Sequence, residues 1–148
     1  MCFHGILKIH LAITESAMPK AKTRLEVLQV STLLKCVYTG DQIQIKKIIE
    51  SGVPDIINYQ EPKDGETALT VAAAANNDDM VKFLLEVGAS PDACDSRGRT
   101  PVMRGAEYGH VQTVQMLADA RANMKLRDYE GKGLERKQIS VISKISAH

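Results

Sequence analysis

The sequence predicts an all-α solenoid of about three helix-turn-helix units joined by short hairpin-like turns. Three observations predict it. A stretch that begins at Gly98 repeats one that begins at Gly65, 33 residues upstream. Each copy holds two short apolar runs separated by an Asn or a Gly. The apolar residues are mostly Leu, Ile, Val and Ala, with 4% aromatics and no Trp, which suits packed helices better than a sandwich or barrel. Self-similarity at periods of about 20 to 50 residues marks stacked arrays, whose units cannot bury an apolar face alone.

The two copies match residue by residue. Thr67 pairs with Thr100, Leu69 with Val102, Ala73 with Ala106, Val81 with Val114, Leu84 with Leu117 and Ala89 with Ala122. A weaker copy lies 36 residues further upstream. It aligns Leu33 with Leu69, Gly40 with Asn76, Ile48-Ile49 with Leu84-Leu85, and Gly52 with Gly88.

The elements follow in order. In the first copy Ser31 stands at the Thr position, but Leu25, Val27 and Leu28 extend the apolar pattern backward, so a start near Lys22 is expected. The connection from Gly52 to Gly65 is three residues longer than that from Gly88 to Gly98 and holds Pro54 and Pro62, so a larger turn is expected there. In the second copy Thr67 caps an inner helix over residues 68–75. Asn76, which tolerates left-handed backbone, ends it. An outer helix over 78–87 turns Met80, Val81, Leu84 and Leu85 inward, and Gly88 closes it. "DSRGRT" is a tight turn. In the third copy Thr100 caps, Pro101 opens the inner helix to about Tyr108, and Gly109 ends it. The outer helix over 111–120 places Val111, Val114, Leu117 and Ala118 on one face.

The stretch "GRTPVMRGAEYGHVQTVQMLADARANM" resembles an ankyrin repeat. The features are Asp95-x-x-Gly98-x-Thr100-Pro101, Ala106, Gly109-His110, Val114, Leu117 and Ala122, and the resemblance spans about residues 31 to 131. "INYQEPKDGETAL", "DMVKFLLEVGASPD" and "DYEGKG" further resemble members of the family in which a calcium-binding EF-hand segment follows the array. No EF-hand loop pattern occurs in this chain, so no calcium expectation transfers. The resemblance implies a non-catalytic scaffold that binds a protein partner with its turn tips and inner-helix faces. By position these are Ser96, Arg97, Arg99, Arg104, Glu107 and Tyr108 in the third unit, and Lys63, Asp64, Glu66, Ala74 and Ala75 in the second. Tyr129, Glu130 and Lys132 lie beyond them. Arg97, Arg99, Tyr108 and Tyr129 are expected to form a modest basic and aromatic patch, of residue types enriched at interface hot spots.

Departures from the family pattern carry expectations too. Arg121 stands where Gly88 closes the previous outer helix, so left-handed backbone there would strain a side chain. Met103 and Thr70 replace the usual His after the Thr, which implies a looser turn.

The expected organisation is a poorly ordered extension over 1–21, repeats over 22–131 (22–63, 64–96 and 97–131), and an atypical tail over 132–148. The pattern breaks after Gly131: Gly133 falls at the Thr position, Leu134 at the Pro position and Glu135 at the Leu position. A truncated product with little function of its own is therefore the alternative. Val102, Met116 and Leu117 are expected to be partly uncovered. Ile139, Val141, Ile142 and Ile145 would form a makeshift cap within 134–146, or a sticky end prone to self-association.

The 148 residues suffice for one domain. A net charge of +1 points to neither nucleic acid nor an anionic membrane, although Arg97, Arg99, Arg104 and Lys132 keep nucleic acid as a lesser alternative. Cys2, Cys36 and Cys94 are too few and too scattered for a disulfide framework, which fits a reducing, cytoplasmic setting. No apolar run nears the roughly 20 residues of a membrane span. Lys8 and His10 interrupt the only segment resembling a signal peptide, and Met18 is a possible alternative start.

No catalytic, cofactor or metal site is expected. His4, His10, His110 and His148 have no Cys or His partner at zinc spacing, and His110 holds a packing position. Cys36 falls at a small, buried inner-helix position. Asp78-Asp79 suits a helix start, where negative charge is favoured. "GKGLER" lacks the third Gly and preceding strand of a dinucleotide loop.

Overall fold

The computed structural model describes residues 19–134. The expectations for residues 1–18 and for the tail from Glu135 onward lie outside the described residues. Within them the chain forms six α-helices and no strand: α1 (Arg24–Thr39), α2 (Gln42–Ile49), α3 (Ala68–Ala74), α4 (Asp78–Glu86), α5 (Pro101–Glu107) and α6 (Val111–Asp119). Each consecutive pair is one unit, and the inner helix α3 packs between α1 and α5.

Local chemistry sets the helix limits. Thr23 Oγ1 accepts the Glu26 N–H at 3.1 Å, and the Glu26 carboxylate accepts the N–H of Thr23 at 3.0 Å and of Lys22 at 2.8 Å. This capping box starts α1 close to the expected Lys22 and leaves Ser31 inside the helix. The long start is enforced by burial, because Val30, Leu33, Leu34 and Val37 continue one apolar face through Ser31. Asp41 caps α2, Thr67 caps α3, Asn77 caps α4 and Thr100 caps α5.

The Thr70 substitution does not loosen its turn. Its hydroxyl accepts the Thr67 N–H at 2.9 Å while its own N–H bonds Thr67 Oγ1, a threonine version of the capping box. Met103 has no such group and only its backbone is capped.

The longer connection after α2 is a larger turn, as its length suggests. Asp55 turns left-handed and a 3-10 turn, Ile56–Asn58, follows. Asn58 donates to Asp55 Oδ1 at 2.6 Å and accepts the Ser90 N–H at 2.8 Å, so this turn also joins the next unit. Asn76 (φ 55°) takes the left-handed backbone its residue type suits, and Arg121 (φ 66°) takes the left-handed conformation that strains a side chain.

One core runs through all three units. Leu33, Ile45, Ile56, Leu69, Met80, Leu84 and Leu117 are its largest fully buried side chains. Two expectations fail here. Val111 is 48% exposed, because it opens α6 on the solvent side and Thr113 takes the inward place. Val102 and Leu117 are fully buried rather than uncovered, and only Met116 is half-buried. Met116, Met124 and Leu134 pack against the core at this end.

Candidate interaction surface

Three hairpins project from the helix pairs, and the same backbone bond closes the base of each. Glu61 N donates to Glu66 O, Asp95 N to Arg99 O, and Asp128 N to Lys132 O, at 2.8–3.0 Å. An acidic side chain at each base accepts the N–H groups of the tip. Glu61 takes those of Lys63 and Asp64, Asp95 those of Arg97 and Arg99, and Asp128 those of Glu130 and Lys132. These carboxylates organise turns. Among the described residues no group of three or more His, Cys, Asp or Glu is placed to hold a metal ion.

The tips stack on one another. Ser96 covers Gly65 and its Oγ donates to Asp64 O at 3.3 Å. The Tyr129 ring covers Gly98 so closely that an added Cβ would lie 2.6 Å from it, and Tyr129 N donates to Arg97 O at 2.9 Å. Both glycines are thus required by contact as well as by positive φ. Burial pushes the Cys94 thiol above its ordinary pKa, against the opposing effect of a hydrogen bond with Tyr129.

A chain of alternating charge crosses the inner-helix face. Arg104 holds Glu107 at 2.9 Å, lies 4.0 Å from Glu66, and sits over the Tyr108 ring at 5.6 Å. Arg99 binds buried Asp95 at 2.8 Å and lies 4.0 Å from Glu107. At the far end Tyr38 faces Glu66. Burial, and next the Glu66 carboxylate, push the Tyr38 phenol above its ordinary value.

The expected patch is rearranged by this pairing. Arg97, Arg99, Met103, Glu107, Asp128, Glu130, Lys132 and Gly133 line an open groove of about 290 Å³. Its three cations meet three carboxylates, so it is a mixed-charge surface rather than a basic one. Lys132 is bound to Glu130 at 2.9 Å. Tyr108 is outside this groove and stacks on His110, 5.8 Å between ring centres. Lys63, Asp64 and Ser96 stand exposed at the neighbouring tips, while Ala74 is half-buried at the end of α3 and Ala75, its C-cap, is exposed. His110 is structural: its Nε2 lies 3.1 Å from Ala74 O and ties the third unit to the second. Met103 was missed as a surface residue. Its signal was there, since a thioether replaces a hydrogen-bonding side chain at a turn.

Comparison with known proteins agrees with this architecture. The family model described as ankyrin repeats (3 copies) matches residues 33–128, and the chain belongs to the ankyrin repeat family. Ankyrin repeats are in general non-catalytic modules of protein–protein interaction. Human ankyrin repeat and SOCS box protein 11 is 34% identical over 115 residues, 76% of this chain and 33% of that protein. Mouse diacylglycerol kinase iota is 32% identical over 92 residues, 62% of this chain and 9% of the kinase. Rat glutaminase liver isoform, mitochondrial, is 34% identical over 91 residues, 61% and 15% of the two chains. The chain therefore spans a third or less of each of these relatives. The crystal structure of the ankyrin repeat domain of Bcl-3 matches with a TM-score of 0.66 at 23% identity, over 75% of this chain and 50% of that one. No described helix is long and apolar enough to cross a membrane.

Proposed function

We propose that the chain is a non-catalytic protein-binding module that engages its partner through the hairpin tips and the inner-helix face. The observation that carries this is the ordered strip Glu66–Arg104–Glu107–Arg99–Asp95, with Met103 beside it in the groove. Charges already paired beside Met103 give a surface that loses little side-chain freedom on binding. Ser96, Arg97, Tyr108, Tyr129, Lys132, Lys63 and Asp64 frame it. The relatives carry unrelated names, a kinase, a glutaminase and a SOCS box protein, so their activities lend no reaction to this chain. A nucleic-acid role is disfavoured by the carboxylates that pair Arg99 and Arg104.

The finer resemblance, to the amino-terminal repeats of the ankyrin repeat and EF-hand domain-containing protein 1, belongs to this proposal, as does a cytoplasmic setting, with Cys36 and Cys94 both free thiols. The test is affinity capture with the full chain against an Arg97→Glu/Tyr108→Ala variant. Proteins held by the native chain and lost by a variant with an unchanged melting curve support the proposal. An identical captured set would overturn the surface assignment.

A further inference from the structure

Charge pairing in the groove lined by the second and third hairpins leaves one residue out. Arg99 is held by Asp95, Glu107 by Arg104, and Glu130 by Lys132. Asp128 accepts the N–H groups of Glu130 and Lys132. Among the described residues Arg97 is thus the groove's one charged side chain with neither an ion pair nor a hydrogen bond. It is exposed, while its backbone is fixed on both sides. Its N–H donates to Asp95 Oδ1 at 3.0 Å, and its carbonyl accepts the Tyr129 N–H at 2.9 Å.

We propose that this groove takes an extended peptide segment of a partner protein, with one carboxylate on Arg97 and an apolar side chain on Met103. The assignment rests on the reading of the tips as a protein-binding surface and adds the partner's chemistry to it.

The sign of the partner's charge follows from the pairing. A guanidinium offers a planar fork of donors that matches a carboxylate. A partner cation would find each groove carboxylate already engaged. The number of charges follows as well. Glu107, Asp128 and Glu130 share the groove with Arg97, so a second acid on the partner would meet like charge. That distinguishes a lone acidic side chain from a polyanion such as a nucleic acid. Half-buried Met103 sets the acid's neighbour, because a thioether adapts to aliphatic and aromatic side chains alike. With its backbone already fixed, Arg97 loses only its own rotamers on binding. The first tip has no such preference, since Lys63 and Asp64 are adjacent and both exposed.

Selection from a phage-displayed library of random peptides on the immobilised full chain tests this, followed by fluorescence anisotropy of the enriched peptides. The expected result is a shared Asp or Glu beside an apolar residue, with binding that weakens as salt rises. Arg97→Ala should melt like the native chain and bind these peptides about tenfold or more weakly, on the scale of an interface hot spot. Met103→Ser should weaken them too. Exchanging the peptide's acid for its amide reads the same contact on the unaltered chain, and should cost nothing further in Arg97→Ala. A basic consensus, an absence of enrichment, or acidic peptides whose affinity survives Arg97→Ala would overturn the proposal. So would a poly-Asp peptide or a short single-stranded oligonucleotide that binds more tightly than the lone-acid peptides. Any of these failures leaves the capture experiment intact. Proteins held by the native chain and lost by the Arg97→Glu/Tyr108→Ala variant would still support the surface, with a different chemistry for its partner.

Discussion

Arg99 binds Asp95 twice, through its backbone N–H at 2.9 Å and through Nε at 2.8 Å, and Asp95 is only 1% exposed. The same carboxylate accepts the Arg97 N–H at 3.0 Å. One buried anion therefore sets the backbone of the tip and the direction of a groove cation together. Asp95→Ala is expected to cost about 2 to 3 kcal/mol, since it strands N–H groups that had a charged acceptor. Asp128→Ala, at a more exposed hairpin, should cost less. Urea denaturation of both variants checks the order, and equal losses would show that burial of Asp95 is not what matters.

Leu84 and Leu117 are both 0% exposed, at equivalent places in α4 and α6. Truncation to Ala removes packed methyl groups and leaves a cavity, for about 2 to 5 kcal/mol each. In a short array such a loss threatens the whole fold, because units share one core. A loss below about half a kcal/mol at both sites would contradict their core placement.

What the sequence exposed, and what it hid, divides by distance along the chain. Caps and left-handed positions were legible because they select residue types: Thr67, Thr100, Asn76 and Gly109 each declare a local backbone state. Bonds between units were not. Thr113 Oγ1 donates to Asp78 Oδ1 at 2.7 Å across 35 residues, and Asn123 N donates to Asp92 Oδ1 across 31. Nothing local to Thr113 states that the stack brings an acid to it. The approach of Arg104 to Glu66 in the preceding unit was hidden for the same reason, whereas its pair with Glu107 three residues on and that of Arg99 with Asp95 are local, so a list of exposed cations overstated the positive character of the tip.

Arg121 holds φ 66°, a conformation that costs a side chain but not glycine. Arg121→Gly should therefore stabilise the chain by up to about 1 kcal/mol, less whatever the exposed side chain contributes. Gly98→Ala should act in the opposite direction, because φ is +77° and the new Cβ meets the Tyr129 ring. Pairing it with Tyr129→Ala would relieve the contact but not the backbone strain. The double variant should recover part of the loss, and thermal melts of the three proteins would show it. Full recovery would mean that contact alone requires the glycine.

The last prediction concerns pH and the start of α1. Backbone bonds, first from Thr23 and then from Lys22, hold the Glu26 carboxyl below its ordinary value of 4.5. A carboxyl whose pKa is lower folded than unfolded contributes stability above the unfolded value and loses it as pH falls through the folded one. Glu26→Ala removes both bonds and the favourable charge at the helix N-terminus. The native chain should thus melt higher than Glu26→Ala at pH 7, and the gap should narrow as the solution is acidified below about 4.5. Glu26→Gln keeps a hydrogen-bond acceptor without the charge, so its smaller deficit should vary less with pH. Melting temperatures of the three chains between pH 7 and pH 3 decide the matter. A gap that stays constant over that range would show that the ionised carboxylate contributes nothing, and that the helix start rests on Thr23 alone.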